Sequence, residues 1–237
     1  VAWLVFAQTD TLRMATFNIL NFPDSFGQER IPHFKLVLAS LQPDILVVQE
    51  MQSQTGVELF LEQVLRSTGS REYKAAPFID GNDTDNALFY NSAKIEFIKN
   101  RQIPTSLREV SEYTVRYTGD AGLPILTIYS VHLKAGNTPQ SADIRNNDAR
   151  LLRRELNKMA VDSYFVVAGD FNVYTSSESA YQELVDPRDN PDGQCFDPVR
   201  MPGDWHNNPD FALWHTQSTR RDVLLDGAGG GLDAAPN

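Results

Sequence analysis

Four apolar segments of this chain each end in a polar side chain, and this recurrence constrains the fold more than any other feature. In the stretch VVAGDFN, small or apolar residues at 166–169 lead directly into Asp170, and Asn172 follows two positions later. The other three segments end in polar side chains as well, namely Asn18, Glu50 and His132. Strand ends at one edge of a β-sandwich converge in space, so these side chains are expected to line one pocket.

Each of these polar residues has an ordinary structural explanation when it is taken alone. An asparagine at a strand end often caps a turn, a glutamate is often solvated, and a buried histidine is often only hydrogen-bonded. An aspartate after a glycine often caps a helix or a turn. The recurrence at four strand ends favours a functional pocket instead, because carboxylates, amides and an imidazole together suit metal-assisted hydrolysis of a phosphoester.

Hydrophobic periodicity predicts an α/β protein. Apolar runs bounded by turn residues predict strands at 12–20, 44–50, 86–92, 93–100, 123–133 and 164–170. Amphipathic spacing predicts helices at 29–41, 55–68, 140–161 and 176–184. Thr55 is the expected N-cap of the second helix, serines are the expected caps of the last, and 86–92 is expected to pair with 93–100 across a short turn. Strands alternating with helices predict sheets inside and helices outside.

Composition limits the classes of function. The chain has 237 residues, of which 41% are hydrophobic and 22% charged, so it is globular and large enough for a sizeable core. Its net charge of −10 opposes tight, sequence-independent binding to nucleic acid through phosphate contacts, although it allows weak binding bridged by a cation. Cys195 is the single cysteine, so no intrachain disulfide forms. No apolar run reaches the roughly 18 residues that a membrane span needs.

The two ends of the chain differ in composition from the rest. The apolar stretch VAWLVFA precedes QTD and predicts that 1–9 is the remnant of a secretory signal peptide, with a terminal strand or a cloning remnant as the alternatives. Secretion or export to the periplasm is therefore expected. With neither a linker nor an internal repeat in the sequence, 10–237 is predicted to be one domain, with a long surface loop at 186–210.

Five motifs, in order along the chain, resemble those of the endonuclease/exonuclease/phosphatase superfamily: MATFNIL, DILVVQE, NALFYN, SVHLKAG and VVAGDFN. This superfamily includes pancreatic-type deoxyribonuclease, the abasic-site endonucleases, the bacterial sphingomyelinases and the inositol-polyphosphate phosphatases. The resemblance covers residues 12–184 and points to a secreted bacterial member. It implies a DNase I-like four-layered α/β sandwich, in which two packed β-sheets are flanked by helices.

The resemblance also implies a role for each polar strand end. Glu50 matches the metal-binding glutamate of the family, and Asn18 matches the asparagine that supports the metal directly or through water. The expected cofactor is Mg²⁺ or Mn²⁺, with Ca²⁺ as a further option, since these hard cations prefer oxygen ligands. Asp170 matches the aspartate that orients or deprotonates the attacking water. Asn172 matches the amide that holds the scissile phosphate, and His132 the histidine that stabilises its developing charge.

Four other residues and one loop are weaker candidates. Tyr90 falls near the position of a family tyrosine that touches the phosphate or the leaving group, and a packed strand tyrosine is the alternative. Lys134 and Arg145 are candidates for phosphate contact, and solvated surface is the alternative. Trp205 is a candidate for a substrate groove, and aromatic packing is equally consistent with its sequence. The acidic loop 80–86 is expected to connect strands, with an additional cation site as the alternative.

The end of the sequence departs from the family pattern. Relatives close with a strand that carries an aspartate and then a Ser-Asp-His-like motif, whose histidine is the general acid or base. Neither His206 nor His215 has that setting, and Asp233 is the only candidate for its beginning. We therefore expect a C-terminal truncation that removes the last strand or strands, with a naturally altered homologue as the alternative. The sequence as given is then expected to be weakly active or inactive.

These observations predict a divalent-metal-dependent phosphodiester hydrolase. A secreted endonuclease that binds nucleic acid weakly is the first interpretation, and a monomer is expected. A sphingomyelinase-like lipid phosphodiesterase and a soluble phosphomonoesterase are the alternatives of the same class. A catalytically inactive binding module on the same fold is the alternative of another class. Metal titration and an assay against DNA, RNA, sphingomyelin and a generic phosphodiester distinguish these.

Overall fold

A computed structural model describes residues 11–24, 26–69, 71–81, 83–118, 125–187, 193–206, 208–211 and 213–214. The chain divides into two compact units. The first unit consists of residues 1–104, 108–132 and 163–170. The second unit consists of residues 105–107, 133–162 and 171–237. The expected signal remnant at 1–9 and the expected loss of the last strands both lie outside the described residues, and the single-domain interpretation stays a prediction.

Eight strands and four helices make up the regular structure of the described ranges. The strands are β1 (Met14–Phe22), β2 (Ile45–Met51), β3 (Tyr73–Ala75), β4 (Asp85–Asn91), β5 (Ile95–Ile103), β6 (Val110–Tyr117), β7 (Ile125–His132) and β8 (Tyr164–Asp170). The helices are α1 (Gly27–Leu41), α2 (Gln54–Phe60), α3 (Pro139–Leu156) and α4 (Ser179–Val185). None of these helices combines the length and the apolar character that crossing a membrane requires.

The first unit contains two four-stranded mixed sheets. The order of strands is β1-β2-β4-β3 in the first sheet and β5-β6-β7-β8 in the second. Each sheet has one parallel pair, β1 with β2 and β7 with β8, and its other pairs are antiparallel. Parallel pairing places the carboxyl ends of both strands at the same edge of the sheet, and this arrangement positions the polar strand ends described below.

Two apolar cores hold the first unit together. Between the sheets, Ile45 and Leu88 of the first sheet belong to the same buried cluster as Tyr113 and Ile128 of the second. On the other face of the first sheet, α1 and α2 bring aromatic rings onto β1. Burial of both faces explains the continuous apolar run of β2, because such a strand has no solvent-facing side.

An aromatic cluster forms the centre of the helix-side core. The ring centroid of Phe22 lies 5.9 Å from that of Phe34 and 5.3 Å from that of Phe60, both in edge-to-face geometry. Phe22 and Phe60 are fully buried. Edge-to-face pairs add about 0.5–1.5 kcal/mol each to the free energy of apolar burial. This cluster therefore anchors α1 and α2 against the end of β1.

The second unit pairs helix α3 with helix α4. Arg153 of α3 is buried, and its guanidinium donates hydrogen bonds to the carbonyl oxygens of Glu183 and Leu184 in α4. Leu152 and Leu156 are buried in the same helix, as the amphipathic spacing predicted. The helix ends at Leu156 and not at 161, since the chain turns immediately after it.

The predicted hairpin of 86–92 with 93–100 is wrong. Both strands exist, but β4 pairs with β2 and β3, whereas β5 pairs with β6 in the other sheet. The short turn between them carries the chain from one sheet to the other. Strand β6 was missed because Ser111, Glu112 and Thr114 give it a polar sequence, although all three are buried. Hydrophobic pattern alone reveals neither a buried polar strand nor the partner of a strand.

Helix caps also differ from the sequence interpretation. Ser53 caps α2 by accepting a hydrogen bond from the backbone N–H of Gly56, so the cap is not Thr55. The predicted helix 55–68 continues past α2 as a wide turn at Leu61–Leu65 and a tight turn at Arg66–Thr68. Residue 178, a glutamate, precedes α4 and makes no side-chain cap, so the expected serine caps are wrong.

Replacing Phe60 by alanine should show how much the aromatic cluster contributes to the free energy of unfolding. Phe60→Ala removes a fully buried ring, and the expected loss in the free energy of unfolding is about 3–5 kcal/mol. Leu36→Ala is the matched control, because Leu36 of α1 is 72% exposed and its removal should change stability by less than about 0.5 kcal/mol. Urea unfolding followed by circular dichroism measures both values. Equal losses in the two variants would contradict the proposed anchoring role.

Candidate active site

The ends of β1 and β2 have irregular backbone at the edge where they meet. Asn18 pairs with Gln49, but the next paired residues are Phe22 and Met51, so β1 carries two extra residues over this stretch. Three non-glycine residues adopt positive φ angles at this edge, namely Leu20 (45°), Asn21 (46°) and Glu50 (66°). Such conformations cost of order 1–3 kcal/mol each and cluster at functional sites.

Asn18 joins the two carboxylates of the site. Its Nδ2 donates hydrogen bonds to Glu50 Oε1 at 2.8 Å and to Asp170 Oδ2 at 2.9 Å. Its Oδ1 accepts from the backbone N–H of Leu20 at 2.9 Å, which fixes the amide plane. The other oxygen of Glu50, Oε2, accepts from the backbone N–H of Asn21 at 3.0 Å. One amide from the first sheet therefore holds a carboxylate from each sheet.

His132 completes the group, and we call Asn18, Glu50, His132 and Asp170 the strand-end cluster. Parallel pairing of β7 with β8 makes His132 and Asp170 direct partners. His132 Nε2 lies 3.7 Å from Glu50 Oε1 and 4.0 Å from Asp170 Oδ2. These distances are too long for hydrogen bonds, but they place three titratable groups around one point. The structure thus brings together four of the residues that the sequence singled out.

Burial controls the charge of His132. Removal from water lowers the pKa of His132 to about 4, and the positive charge of Arg108 acts in the same direction. The carboxylates of Asp170 and Asp83 oppose this shift and are outweighed. His132 Nδ1 is buried and, among the described residues, makes no hydrogen bond. The imidazole is therefore neutral at pH 7, and the two carboxylates receive no compensating charge from it.

Three residues near the cluster were not found from the sequence. Arg108 lies before β6, and its Nε is 2.9 Å from Asp83 Oδ2. Gln49, next to Glu50, is buried and donates from Nε2 to Ser130 Oγ at 3.2 Å, which links the two sheets. Asp85 opens β4 opposite Met51. The acidic loop 80–86 was the only feature of the sequence that pointed to any of these residues. Its aspartate Asp85 begins β4 and pairs with Met51, next to Glu50.

Tyr90 does not lie at the strand-end cluster. It pairs with Ile45, the first residue of β2, whereas Glu50 lies five residues further along that strand, or roughly 16 Å at strand spacing. The Tyr90 ring stacks on Phe97 with centroids 6.2 Å apart, and the side chain is buried. The assignment of Tyr90 to the site is therefore corrected, and the geometry supports the alternative of a packed strand tyrosine.

Gly169 allows β8 to approach the backbone of β7 closely. Its φ angle is +142°, and a Cβ at this position would overlap the backbone of Val131 in the neighbouring strand. The sequence interpretation gave this glycine the role of bringing the backbone close to the phosphate. The structure shows that the close approach is to β7, which sets His132 directly beside Asp170.

Asn172 and Lys134 belong to the second unit. Asn172 has a left-handed backbone with φ of 49°, and its Nδ2 donates to the carbonyl oxygen of Leu133 at 3.0 Å. The Nζ of Lys134 donates to the carbonyl oxygen of Ala135 at 3.0 Å. The amide of Asn172 is thus held by the loop that follows β7. Contact of Asn172 or Lys134 with a substrate phosphate stays a prediction.

Arg145 is a buried structural residue, so the solvated-surface interpretation is wrong and the geometry does not support phosphate contact either. The side chain is 1% exposed and forms a two-point ion pair with Glu178, with distances of 2.5 and 3.0 Å. It also donates to the carbonyl oxygens of Lys134 and Gly136. Its guanidinium lies 5.1 Å from the ring centroid of Tyr174. These contacts leave Arg145 fully engaged inside the second unit.

Trp205 packs against another aromatic ring. Its ring meets Tyr181 edge-on with centroids 5.4 Å apart, and its Nε1 donates to the carbonyl oxygen of Met201. His206 meets Tyr174 in the same way at 4.9 Å. These contacts favour the packing alternative that the sequence left open for Trp205. Substrate contact by this residue stays a prediction, and His215 lies outside the described residues.

Family and structural comparisons agree with this geometry. The chain matches the model of the Endonuclease/Exonuclease/phosphatase family over residues 15–231. The chain belongs to this family. Its members are hydrolytic phosphoesterases and nucleases, which confirms the predicted reaction class at that level. A comparison with the curated proteins found no match.

Solved structures of low sequence identity share the fold. The human Nocturnin catalytic domain with bound sulfate matches with a TM-score of 0.55, 18% identity, and coverage of 82% of this chain and 81% of that chain. D. rerio TDP2 complexed with single-strand DNA product matches with a TM-score of 0.54, 16% identity and coverage of 70% and 62%. ANGEL2, a 2',3'-cyclic phosphatase, matches with a TM-score of 0.53, 15% identity and coverage of 81% and 63%.

These likenesses establish the fold alone, since all three identities are below 25%. They confirm the predicted DNase I-like α/β fold with two packed sheets. This family member spans less than two thirds of the length of the TDP2 structure that it matches. The strand-end cluster is thus a candidate active site on a phosphoesterase fold.

The chemistry of the cluster suits a hard divalent cation. Glu50 and Asp170 supply carboxylate oxygens at one edge, with side-chain exposures of 15% and 30%. Within the described ranges, no three carboxylate, imidazole or thiol side chains form a set that holds an ion by themselves. Two carboxylates at one edge fit Mg²⁺, which keeps several waters and takes one or two protein carboxylates. The described residues of 80–86 connect β3 to the start of β4, as predicted, and an additional cation site there stays a prediction.

The pH dependence of stability should report on Asp85. Burial, followed by the nearby acidic residues 80, 109 and 83, raises the pKa of Asp85 from 3.8 to about 6, against the opposing N–H of Gly81. A carboxyl whose folded pKa is raised stabilises the fold below pH 3.8, and this contribution is lost as pH rises through about 6. Asp85→Asn should therefore remove that loss.

Thermal unfolding of the Asp85→Asn variant between pH 3.5 and 8 measures this effect. We expect the variant to exceed the wild type at pH 8 by about 1–3 kcal/mol, since each tenfold change in proton affinity corresponds to about 1.4 kcal/mol. Asp143→Asn is the control, because Asp143 is exposed. Parallel curves for the wild type and Asp85→Asn would contradict the assignment.

Proposed function

We propose that this chain is a divalent-metal-dependent phosphodiester hydrolase that acts on nucleic acid. The observation that carries the proposal is the sharing of one amide, that of Asn18, between Glu50 and Asp170, with His132 Nε2 within 4.0 Å of both carboxylates. Residues from four strands meet there, which a purely structural cap does not require. Membership of a family whose members generally use divalent metals supports it further.

Glu50 and Asp170 are the residues that would hold the ion. When bound, the ion would polarise a phosphate oxygen and stabilise the charge that develops during hydrolysis. Asn18 already gives its oxygen to the Leu20 N–H and its nitrogen to the carboxylates, so its role is to hold these two ligands in place. A direct bond from Asn18 to the metal stays a prediction.

The remaining steps belong to side chains of the chain itself. Asp170, the more exposed of the two carboxylates, accepts a proton from the attacking water. His132 is neutral at pH 7 and offers one N–H, and Nε2 is the nitrogen that faces the carboxylates. A proton on Nε2 would therefore hydrogen-bond a phosphate oxygen and stabilise its charge in the transition state. Contact of the Asn172 amide with the scissile phosphate stays a prediction.

Nucleic acid is the substrate class that we favour. D. rerio TDP2 was solved with a single-strand DNA product, and it has the same fold. The net charge of −10 implies that binding is weak and depends on cations that bridge the acidic protein and the phosphates. We also propose that the protein is exported from the cell or to the periplasm, and the apolar residues 1–7 support this. The monomeric state stays a prediction.

A panel of substrates separates this proposal from its alternatives. Hydrolysis of DNA or RNA in Mg²⁺ supports it, whereas sole cleavage of sphingomyelin or of a phosphomonoester would replace nucleic acid by a lipid headgroup or a small phosphate. Binding of cation without hydrolysis of any substrate would favour an inactive binding module. The assay uses the full-length protein, with Mg²⁺, Mn²⁺ or Ca²⁺ supplied separately and EDTA as the metal-free condition.

Two conservative substitutions test the roles of the carboxylates. Glu50→Gln and Asp170→Asn each keep one oxygen that can accept from Asn18 but remove the charge, and Glu50→Gln also gives up one of the two acceptor oxygens. Each should lower kcat by about 100-fold to 10,000-fold. EDTA should abolish wild-type activity, and Mg²⁺ should restore it. Glu58→Gln is the control, since Glu58 is an exposed residue of α2. Full activity of either cluster variant, or activity that survives EDTA, would contradict the proposal.

A further inference from the structure

One arginine of α1 holds the backbone turn beside the strand-end cluster. Arg30 Nη1 donates to the carbonyl oxygen of Ile19 at 2.8 Å, and its Nη2 donates to the carbonyl oxygen of Leu20 at 2.5 Å. Two adjacent carbonyl groups are thus fixed by one planar guanidinium. A fork of this kind sets the orientation of both peptide planes, which a single ammonium does not.

The turn that Arg30 holds is the one that carries the hydrogen bonds of the site. Leu20 and Asn21 have left-handed backbone, and their N–H groups donate to Asn18 Oδ1 and Glu50 Oε2. The carbonyl side of the turn therefore meets Arg30, and its N–H side meets the cluster. Loss of the guanidinium releases a strained turn, and the two N–H donors are then no longer directed at their acceptors.

Arg30 packs on an aromatic ring and lies within electrostatic reach of Glu50. Its guanidinium carbon lies 5.2 Å from the ring centroid of Phe34, which belongs to the aromatic core under α1. Desolvation lowers the pKa of Arg30, and the charge of Glu50 opposes that shift, so the two charges act on each other. The arginine is within electrostatic reach of the carboxylate, while its two terminal nitrogens are bonded to the carbonyl groups of the turn.

We infer that Arg30 is a positioning residue that orients Glu50 and Asn18 for the cation through the turn at 19–21. The inference rests on the proposed function, because it assigns Glu50 to a cation site. Arg30 has two simpler alternative roles. In the first it only stabilises the fold, and in the second it only changes the electrostatic potential at Glu50. These roles predict different effects of removing the fork, the charge or both.

Two substitutions separate the three roles. Arg30→Lys keeps the charge and loses the fork, and Arg30→Gln loses both. If Arg30 positions the turn, each variant should bind Mn²⁺ about tenfold more weakly than the wild type. If only its charge matters, Arg30→Lys should match the wild type, and Arg30→Gln should bind Mn²⁺ more tightly, because a positive charge beside Glu50 has gone. If only the fold matters, both folded variants should bind Mn²⁺ as the wild type does.

Electron paramagnetic resonance of free Mn²⁺ measures these dissociation constants without an activity assay. Thermal unfolding is recorded in parallel, and titrations are run well below each melting temperature. Arg66→Lys is the matched control, since Arg66 also donates to a backbone carbonyl, that of Tyr73, in the first unit. It should lose some stability and no Mn²⁺ affinity.

The outcomes also distinguish the inference from the proposal beneath it. Equal affinity of the wild type and both Arg30 variants overturns the positioning role and leaves the metal site standing. Tighter binding by Arg30→Gln with unchanged Arg30→Lys overturns it in favour of a charge effect. A wild-type protein that binds no Mn²⁺ overturns the proposed function and the inference with it. A further expected result is that guanidinium ion, but not ammonium, partly restores Mn²⁺ affinity to Arg30→Ala.

Discussion

The site of this protein depends on one amide that holds a carboxylate from each of two sheets. Two negative charges that share the donor Nδ2 of Asn18 repel each other, and the repulsion is larger at a partly buried edge than in water. Hydrogen bonds from Asn18 and from the Asn21 N–H offset part of that cost. His132 does not, because burial keeps it neutral. The edge therefore retains net negative charge, which favours the binding of a cation.

The backbone around this amide is strained, and the surrounding structure explains how the strain persists. Leu20, Asn21 and Glu50 all have positive φ, a conformation that β-branched and bulky residues avoid. The turn is fixed from the helix side by Arg30 and from the core side by Phe22, which is fully buried. Contacts on both sides hold the strained turn in one conformation. A metal or phosphate site needs ligands that are fixed in this way.

The sequence predicted the cluster because its residues follow a rule of parallel pairing. Asn18 and Glu50 lie where the regular parallel pairing of β1 with β2 stops, and His132 and Asp170 end a second parallel pair. The polar ends of the apolar runs therefore indicated the correct edge. Tyr90 was wrongly placed at this edge because β4 runs antiparallel to β2. The apolar run of β4 therefore ends at the opposite edge of the sheet. Strand direction is a property of tertiary pairing, which a single segment does not encode.

The residues that the sequence did not reveal share a different property. Arg30, Arg108 and Gln49 act through contacts with distant segments, and their own positions in the sequence do not reveal those contacts. The buried strand β6 was hidden in the same way, because its polar residues are satisfied by partners in other strands. Hydrophobic patterns reveal helices and strands from their own sequence. They miss side chains whose role depends on contacts with distant segments.

Charge balance at the cluster links substrate affinity to the cation. Two arginines that act on the cluster electrostatically also have partners of their own, Arg30 in backbone carbonyl groups and Arg108 in Asp83. Glu50 and Asp170 repel a phosphate. The first unit by itself therefore favours an anionic ligand only after a dication has made the local electrostatic potential positive. Affinity for an anionic substrate should therefore rise with divalent cation concentration, in contrast to a basic nucleic-acid-binding surface, which added cations weaken.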